Sequence, residues 1–393
     1  MRVAGLFAGI GGFELGMHQA GHSTALLCDV LPAAKAVLTA RFPDVEYRDD
    51  ITQLRSLPAA IDLICAGFPC QDLSQAGLTA GLEGERSGLI GEVFRLLSRR
   101  SIPTVVVENV PFMLQLNGGS AMRAIIEEFE RRGYRWAYRV VDSFGFALPQ
   151  RRERVFLVAS REIDPSSVLL ADEQPISRPK SAIGQLAHGF YWTEGLGGLG
   201  WAVDAVPTLK NGSTIGIPSP PAILLPNGEV IKPGLLDVEQ LQGFDADWTQ
   251  PAESVVRKSA RWGLVGSAVS VPVARWLGRR LMVPGGYDAT RDMAFPTQGK
   301  APRAARFDGK QRFAVRIGTD PLGIRPPPLV DFLTDRAGQS PLSLRATLGF
   351  LGRTRRAKLR FEPGFIEAIE RHAERMGGSI EQTLPRQLEL LAA

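Results

Sequence analysis

Three segments bring together side chains that could share one reaction. Gly67-Phe68-Pro69-Cys70-Gln71-Asp72-Leu73-Ser74 sets a cysteine on a loop directly after the continuous apolar run Ile61–Ala66. Open α/β sheets place their ligands beyond the carboxyl ends of strands, and a thiolate is the attacking form of cysteine, so Cys70 reads as a nucleophile on a loop stiffened by Pro69. Cys65, inside the run, reads instead as a small core residue. Val107-Glu108-Asn109-Val110 closes the next apolar run, Thr104–Val107, which brings Glu108 out at the same sheet edge. A half-buried carboxyl there has a raised pKa and can donate or share a proton. Gln150-Arg151-Arg152-Glu153-Arg154 enters a further run; alternate side chains of an extended chain share a face, so Gln150, Arg152 and Arg154 point together. They form either an arginine fork aimed at a carbonyl or phosphate, or a solvated strand end.

A fourth segment, Phe7-Ala8-Gly9-Ile10-Gly11-Gly12-Phe13-Glu14, is a glycine turn after a strand and before a helix, where backbone can approach a ligand and the helix start offers free N–H groups. It comes close to a dinucleotide fingerprint but lacks that motif's spacing, and Asp29, ending the second strand, suits ribose hydroxyls in either kind of site.

The elements that must carry these residues alternate. Strands are expected at Arg2–Phe7, Thr24–Cys28, Ile61–Ala66 and Thr104–Val107, and helices at Gly12–Gln19, from Pro32 to about Arg41, at Leu89–Leu97 and at Met122–Arg131. That pattern predicts an α/β fold with a doubly wound, mostly parallel, Rossmann-like sheet. Arg135–Val141 and Arg154–Val158 are expected to pair antiparallel at its edge. Residues 161–235 are rich in Pro, Gly and Ser and read as a small loop-and-strand domain. Helices are expected again at Leu236–Gln242, Glu253–Trp262 and Val269–Leu281, and at about Gly364–Met376. The predicted division is 1–160, 161–235, 236–284 and a tail, 285–393.

The 393 residues, 44% hydrophobic and 22% charged, exclude a fibrous or disordered chain. Three cysteines without a C-x-x-C pair and four histidines support neither a disulfide framework nor a zinc site, and no metal is expected. No run of eighteen apolar residues occurs, so no membrane association is expected, and the chain reads as cytoplasmic. Of the net charge of +5, the tail holds 18 Lys/Arg against 12 Asp/Glu, and residues 1–284 hold 28 against 29. A polyanion partner is compatible with that asymmetry.

Taken together, the motifs resemble those of the cytosine-C5 DNA methyltransferases of bacteria and phages. The resemblance is carried in order by residues 7–14, Asp49–Ile51, 67–74, 87–94, 107–110, 150–155, Leu241–Phe244 and Gly266–Ala274, and it spans residues 1–281, about seven tenths of the chain. It implies that Cys70 attacks C6 of a cytosine while Glu108 protonates N3, with Arg152 on the base's O2, Arg154 as its supporting neighbour, and Gln71 and Ser74 as further catalytic positions. It implies S-adenosylmethionine as cofactor, held by Phe7, Gly9, Ile10, Gly11 and Gly12, by Asp29, Asp50 and Ile51, by Pro69 and Ile90, and by Ser267 and Ala268. It also implies a target base turned out of double-stranded DNA, and residues 161–235 as a target-recognition domain in which Pro207-Thr208-Leu209 resembles the family's Thr-Leu pair. A monomer is expected, and a cognate restriction endonuclease is compatible with the family. Two positions depart: Asp29 and Val30 stand where the family usually has glutamate followed by an aromatic, and Ser267 where asparagine is common. A nicotinamide or flavin oxidoreductase would leave Cys70, Glu108 and the arginines unexplained, and the transfer-RNA-modifying branch carries a late Cys-Phe-Thr motif that this sequence lacks.

Overall fold

A computed structural model describes residues 1–68, 88–213 and 220–378. Among them, seventeen strands run in chain order: β1 (Arg2–Leu6), β2 (Ser23–Cys28), β3 (Glu46–Arg48), β4 (Leu63–Ala66), β5 (Thr104–Asn109), β6 (Arg135–Asp142), β7 (Gln150–Arg151), β8 (Glu153–Ser160), β9 (His188–Phe190), β10 (Ala202–Val203), β11 (Val206–Pro207), β12 (Ala222–Leu224), β13 (Val230–Lys232), β14 (Asp292–Ala294), β15 (Ala304–Phe307), β16 (Arg312–Val315) and β17 (Ser340–Pro341). The large sheet has the order β14-β16-β15-β6-β8-β5-β4-β1-β2-β3. From β5 to β3 all pairs are parallel, and from β5 outward through β8 all are antiparallel.

The central parallel strands β1, β4 and β5 are buried on both faces, which is why they read as unbroken apolar runs, whereas the edge strand β3, Glu-Tyr-Arg, is largely exposed and carries no such signal. In β4 and β5, Ile64 and Val105 face a core shared with the helices Gly88–Arg99 and Ser120–Arg131. Their neighbours Cys65 and Val106 face the core under the helices Gly12–Gln19 and Val271–Met282. These last two helices meet backbone to backbone. A Cβ on Gly12 would stand 2.3 Å from the Val269 carbonyl oxygen, and one on Gly16 2.5 Å from the Ala274 Cβ. The late segment thereby folds back onto the glycine turn near the start of the chain.

The segments expected as an edge pair, now β6 and β8, do pair antiparallel, but they are not at the edge: β15, β16 and β14 continue the sheet beyond β6. Arg139 of β6, fully buried, pins this addition by donating from Nε to the Gly318 carbonyl (2.8 Å) and from Nη1 to the carbonyls of Leu169 and Asp172. The helix expected at Glu253–Trp262 is instead two short 3-10 turns, Gln250–Ser254 and Lys258–Ala260, leading into a helix at Arg261–Ser267. Arg261 draws that stretch inward by reaching Glu239, Asp247 and Glu253, an arrangement that only the tertiary fold can supply.

The smaller sheet, β10-β9-β12-β13-β17, is completed from far along the chain. β17 pairs with β13, and the helices Leu344–Thr354 and Phe365–Arg375 bury Phe350, Phe365 and Ile369 against Phe190, Leu224 and Val230. His372 ties the two parts together: its Nδ1 accepts from the Val230 amide (3.2 Å), and its Nε2 lies 2.9 Å from the Leu342 carbonyl. The tail that the sequence presents as an appendage thus contributes strands to both sheets.

Candidate active site

Strand β5 delivers Glu108 and Asn109 to its carboxyl end, beside the end of β4. The Glu108 carboxylate receives Arg154 Nε at 3.0 Å, and both side chains are largely buried. A Cβ on Gly67 would lie 3.6 Å from the other Glu108 oxygen, at ordinary van der Waals contact, so the end of β4 runs beside the carboxyl without pressing on it. Burial pushes the Glu108 pKa above the ordinary carboxylate value, while Arg154 and then Arg152 pull it back. The group is poised to carry a proton yet keeps a cation at hand. Asn109 Nδ2 donates to the Phe68 carbonyl at 3.0 Å and fixes the chain two residues before position 70.

Arg152 is turned elsewhere. Its guanidinium donates to the carbonyls of Leu209 (3.0 Å), Gly266 (3.3 Å) and Ala268 (2.6 Å), and its own amide is held by Asp142. Gln150 makes the matching contacts on its other side, donating to the Leu241 carbonyl and accepting from the Leu209 amide. Thr208 Oγ1 donates to the Arg151 carbonyl at 2.8 Å. The Pro207-Thr208-Leu209 segment is therefore bolted to the Gln150–Arg152 strand by side chains, and β7 and β11 pair in parallel at the same place.

The glycine turn lies at the carboxyl end of β1. Phe7 and Gly9 adopt left-handed φ values of 57° and 56°, and among the described residues nothing stands within 4 Å of where a Gly9 Cβ would be. Asp29 closes it from β2, accepting from the Gly9 amide (2.7 Å) and the Leu31 amide (2.9 Å). Beside it Val30 and Leu31 are 72% and 52% exposed, an apolar surface facing solvent. Asp50 accepts from Thr52 and caps the turn that begins at Ile51.

A model of the family described as C-5 cytosine-specific DNA methylase matches residues 1–190. The type II methyltransferase M2.BsuMI of Bacillus subtilis (strain 168) is 42% identical over 388 residues, covering 95% of this chain and 99% of that protein. The chain belongs to the C-5 cytosine-specific DNA methylases. The type II methyltransferase M.NgoFVII of Neisseria gonorrhoeae is 37% identical over 163 residues, 41% of this chain and 44% of that one. Among solved structures, the Dnmt2 methyltransferase of S. pombe shares the fold, with a TM-score of 0.50 and 16% identity over 72% of this chain and 98% of its own.

Within this cytosine-C5 methylase the expected site residues divide. Pro69, Cys70, Gln71 and Ser74 lie outside the described residues. Glu108 and Arg154 meet, whereas Arg152, expected on the base, is 1% exposed and engaged with three carbonyls. The sequence placed Arg152 on the base with Arg154 in support; in the fold Arg154 is the one whose side chain reaches Glu108, while the Arg152 guanidinium donates to the carbonyls of Leu209, Gly266 and Ala268. Ile10, Ile51 and Ile90 are buried; Ile10 also lends its carbonyl to Trp248 Nε1. Ser267 is exposed, and Ala268 serves through its carbonyl. Two residues escaped the sequence reading. Asn109 sat inside a motif read only for its glutamate. Tyr191, directly after β9, donates to the Thr208 carbonyl at 2.6 Å. No motif marks it.

Proposed function

We propose that this methylase transfers a methyl group to C5 of a cytosine turned out of double-stranded DNA, through a covalent bond from Cys70, with Glu108 as proton donor and Arg154 as the cation on the base. The observation that carries the reading is the buried Glu108–Arg154 pair at the carboxyl end of β5, with Asn109 holding the chain that leads to Cys70. A cytosine's C5 is a weak nucleophile. Addition of the Cys70 thiolate to C6, with Glu108 giving its proton to N3, turns the C4–C5–C6 unit into an enamine whose C5 can take a methyl group. Loss of the C5 proton then expels the thiolate and N3 returns its proton. Arg154 neutralises charge as it builds on the pyrimidine's carbonyl side, in a setting where burial strengthens the interaction. Arg152 and Gln150 act one step back, keeping the recognition segment registered on the catalytic strand.

S-adenosylmethionine supplies the electrophilic methyl when bound, and the glycine turn fits it. Gly9 leaves room for the amino-acid end, Asp29 presents a carboxylate for ribose hydroxyls, and Val30, Leu31 and Asp50 offer apolar and polar contacts for an adenine. Asp29 is shorter than the glutamate usual in the family and already accepts two amides, so its hold on the ribose is expected to be weaker. We infer further that the enzyme is the protective half of a type II restriction–modification pair that reads a short sequence through residues of the smaller domain.

The test is incubation with labelled S-adenosylmethionine and mixed-sequence DNA. Label on cytosine C5 with the native chain and none with Cys70→Ala is expected; no transfer by the native chain, or undiminished transfer by Cys70→Ala, would overturn the reading. Bisulfite sequencing of DNA from cells expressing the gene would give the sequence modified.

A further inference from the structure

The run Arg353-Thr354-Arg355-Arg356-Ala357-Lys358-Leu359-Arg360 holds five basic residues and no acidic one. It lies beyond the part of the chain that the family model matches, and nothing in the reaction above uses it. The fold nonetheless sets it near the site. Arg353, in the last turn of the Leu344–Thr354 helix, donates from Nε to the Glu194 carbonyl (2.8 Å) and from Nη2 to the Trp192 carbonyl (2.7 Å). A Cβ on Gly195 would touch Arg353, Thr354 and Phe350. That 192–195 loop follows directly on Tyr191, whose hydroxyl reaches Thr208, which is itself fastened to Arg151. The carboxyl end of the helix is thus the end that abuts the loop flanking Arg152 and Arg154.

From there Arg355, Arg356, Lys358 and Arg360 emerge exposed. Arg355 is paired with Glu370 at 2.8 Å, and Arg356 Nε turns back to the Gly352 carbonyl, which leaves its Nη groups outward. Such a row, spaced along an irregular segment and anchored at one end by a part-buried arginine, matches the charge of a phosphate backbone and carries no base-reading geometry.

We propose that Arg356, Lys358 and Arg360 grip backbone phosphates of the DNA duplex flanking the target base, so that the tail forms one wall of the DNA cleft. This rests on the DNA-methylating reading above and adds a phosphate-binding surface to it. Each phosphate neutralised contributes about 0.9 to the slope of log affinity against log salt, whatever the sequence.

The experiment measures binding of the full-length protein to a mixed-sequence duplex by fluorescence anisotropy across a salt series, for the native chain and the triple variant Arg356→Gln, Lys358→Gln, Arg360→Gln. The slope is expected to become shallower by about 2 to 3, with affinity near 0.1 M salt lowered on the order of tenfold or more. Methyl transfer at saturating DNA and the melting temperature are expected to stay as in the native chain. The three single variants, each at an exposed side chain, should lower the slope by about 1 apiece and keep the test open if the triple variant unfolds. An unchanged slope in folded variants overturns the proposal, as does loss of heparin binding with duplex binding intact. The outcome is separable from the catalytic reading: a native chain that binds DNA with the steep slope but transfers no methyl group sinks only the latter.

Discussion

Arg152 and Arg154 stand two residues apart on one predicted face, yet their partners differ: Arg154 meets the Glu108 carboxylate and Arg152 meets three backbone carbonyls. Arg154→Ala removes the partner of a buried carboxyl. It is expected to lower the single-turnover rate by two orders of magnitude or more while the melting temperature moves little, because Glu108 can respond by keeping its proton. Arg152→Ala leaves three buried carbonyls without a charged donor and should cost on the order of 3 kcal/mol of stability, read as a fall in melting temperature before any kinetic effect is interpreted. Obtaining the same pattern from both variants would show that the division of labour is wrong. Glu14 is a second buried carboxyl of a different kind. It is 1% exposed, no other described residue hydrogen-bonds its carboxyl, and burial, only partly offset by its own backbone amide, raises its pKa to about 8. Between the ordinary glutamate value of 4.5 and about 8 the folded chain keeps a proton that the unfolded chain releases, so Glu14 destabilises the fold progressively as pH rises through that window. Glu14→Gln should therefore raise the melting temperature relative to the native chain more at pH 8 than at pH 5, and equal differences at the two pH values would refute the assignment.

At the scale of elements, the sequence was legible wherever periodicity and burial agree. The parallel strands β1, β2, β4 and β5 and the helices Gly12–Gln19 and Pro32–Arg41 lie where apolar runs and the helix-opening proline set them, while the short polar edge strand β3 gave no signal. Legibility fails where structure is held by distant partners: the 3-10 turns at 250–260 owe their shape to Arg261, and β7, two residues long, owes its place to β11. The candidate site followed the same rule. Glu108 could be placed at the sheet edge from its strand alone, but the different partners of the two arginines depend on Leu209 and Ala268, which lie 57 and 116 residues further along the chain from Arg152. The packing of the Gly12–Gln19 helix on Val271–Met282 is a direct test of one such distant contact. Gly12→Ala would put a methyl into the Val269 carbonyl, 2.3 Å away, and must push the late helix aside. A loss of about 1–3 kcal/mol is expected in thermal or denaturant unfolding, together with weaker S-adenosylmethionine binding by calorimetry, since the same residue opens the glycine turn. Full stability in the variant would mean the two helices are not in contact there.

For the whole molecule, the consequence of the topology is that the last hundred residues cannot be treated as a detachable arm. β15 covers β6, so removing residues after 284 would bare an eight-residue strand whose neighbours are apolar, and would open the smaller domain's core as well. Ending the chain at residue 338 is the sharper cut. It spares the large sheet but removes β17 and both covering helices, exposing Phe190, Leu224 and Val230. We expect that protein to be recovered poorly, to bind a hydrophobic dye, and to be cleaved by protease first between residues 181 and 232, because the four short strands left without a covering layer do not bury enough apolar surface to hold their order. Phe365→Ala in the full chain makes the same argument without a deletion. The ring packs edge-on to Phe190 and Trp201 with centroids 5.1 and 4.8 Å away, and its loss should cost about 3–5 kcal/mol within the smaller domain. If the two sheets unfold together, one transition shifts to lower temperature; if they unfold separately, only the transition that carries the Trp192 and Trp201 fluorescence moves. A variant that melts like the native chain by both probes would show that the tail does not complete the core of the smaller sheet.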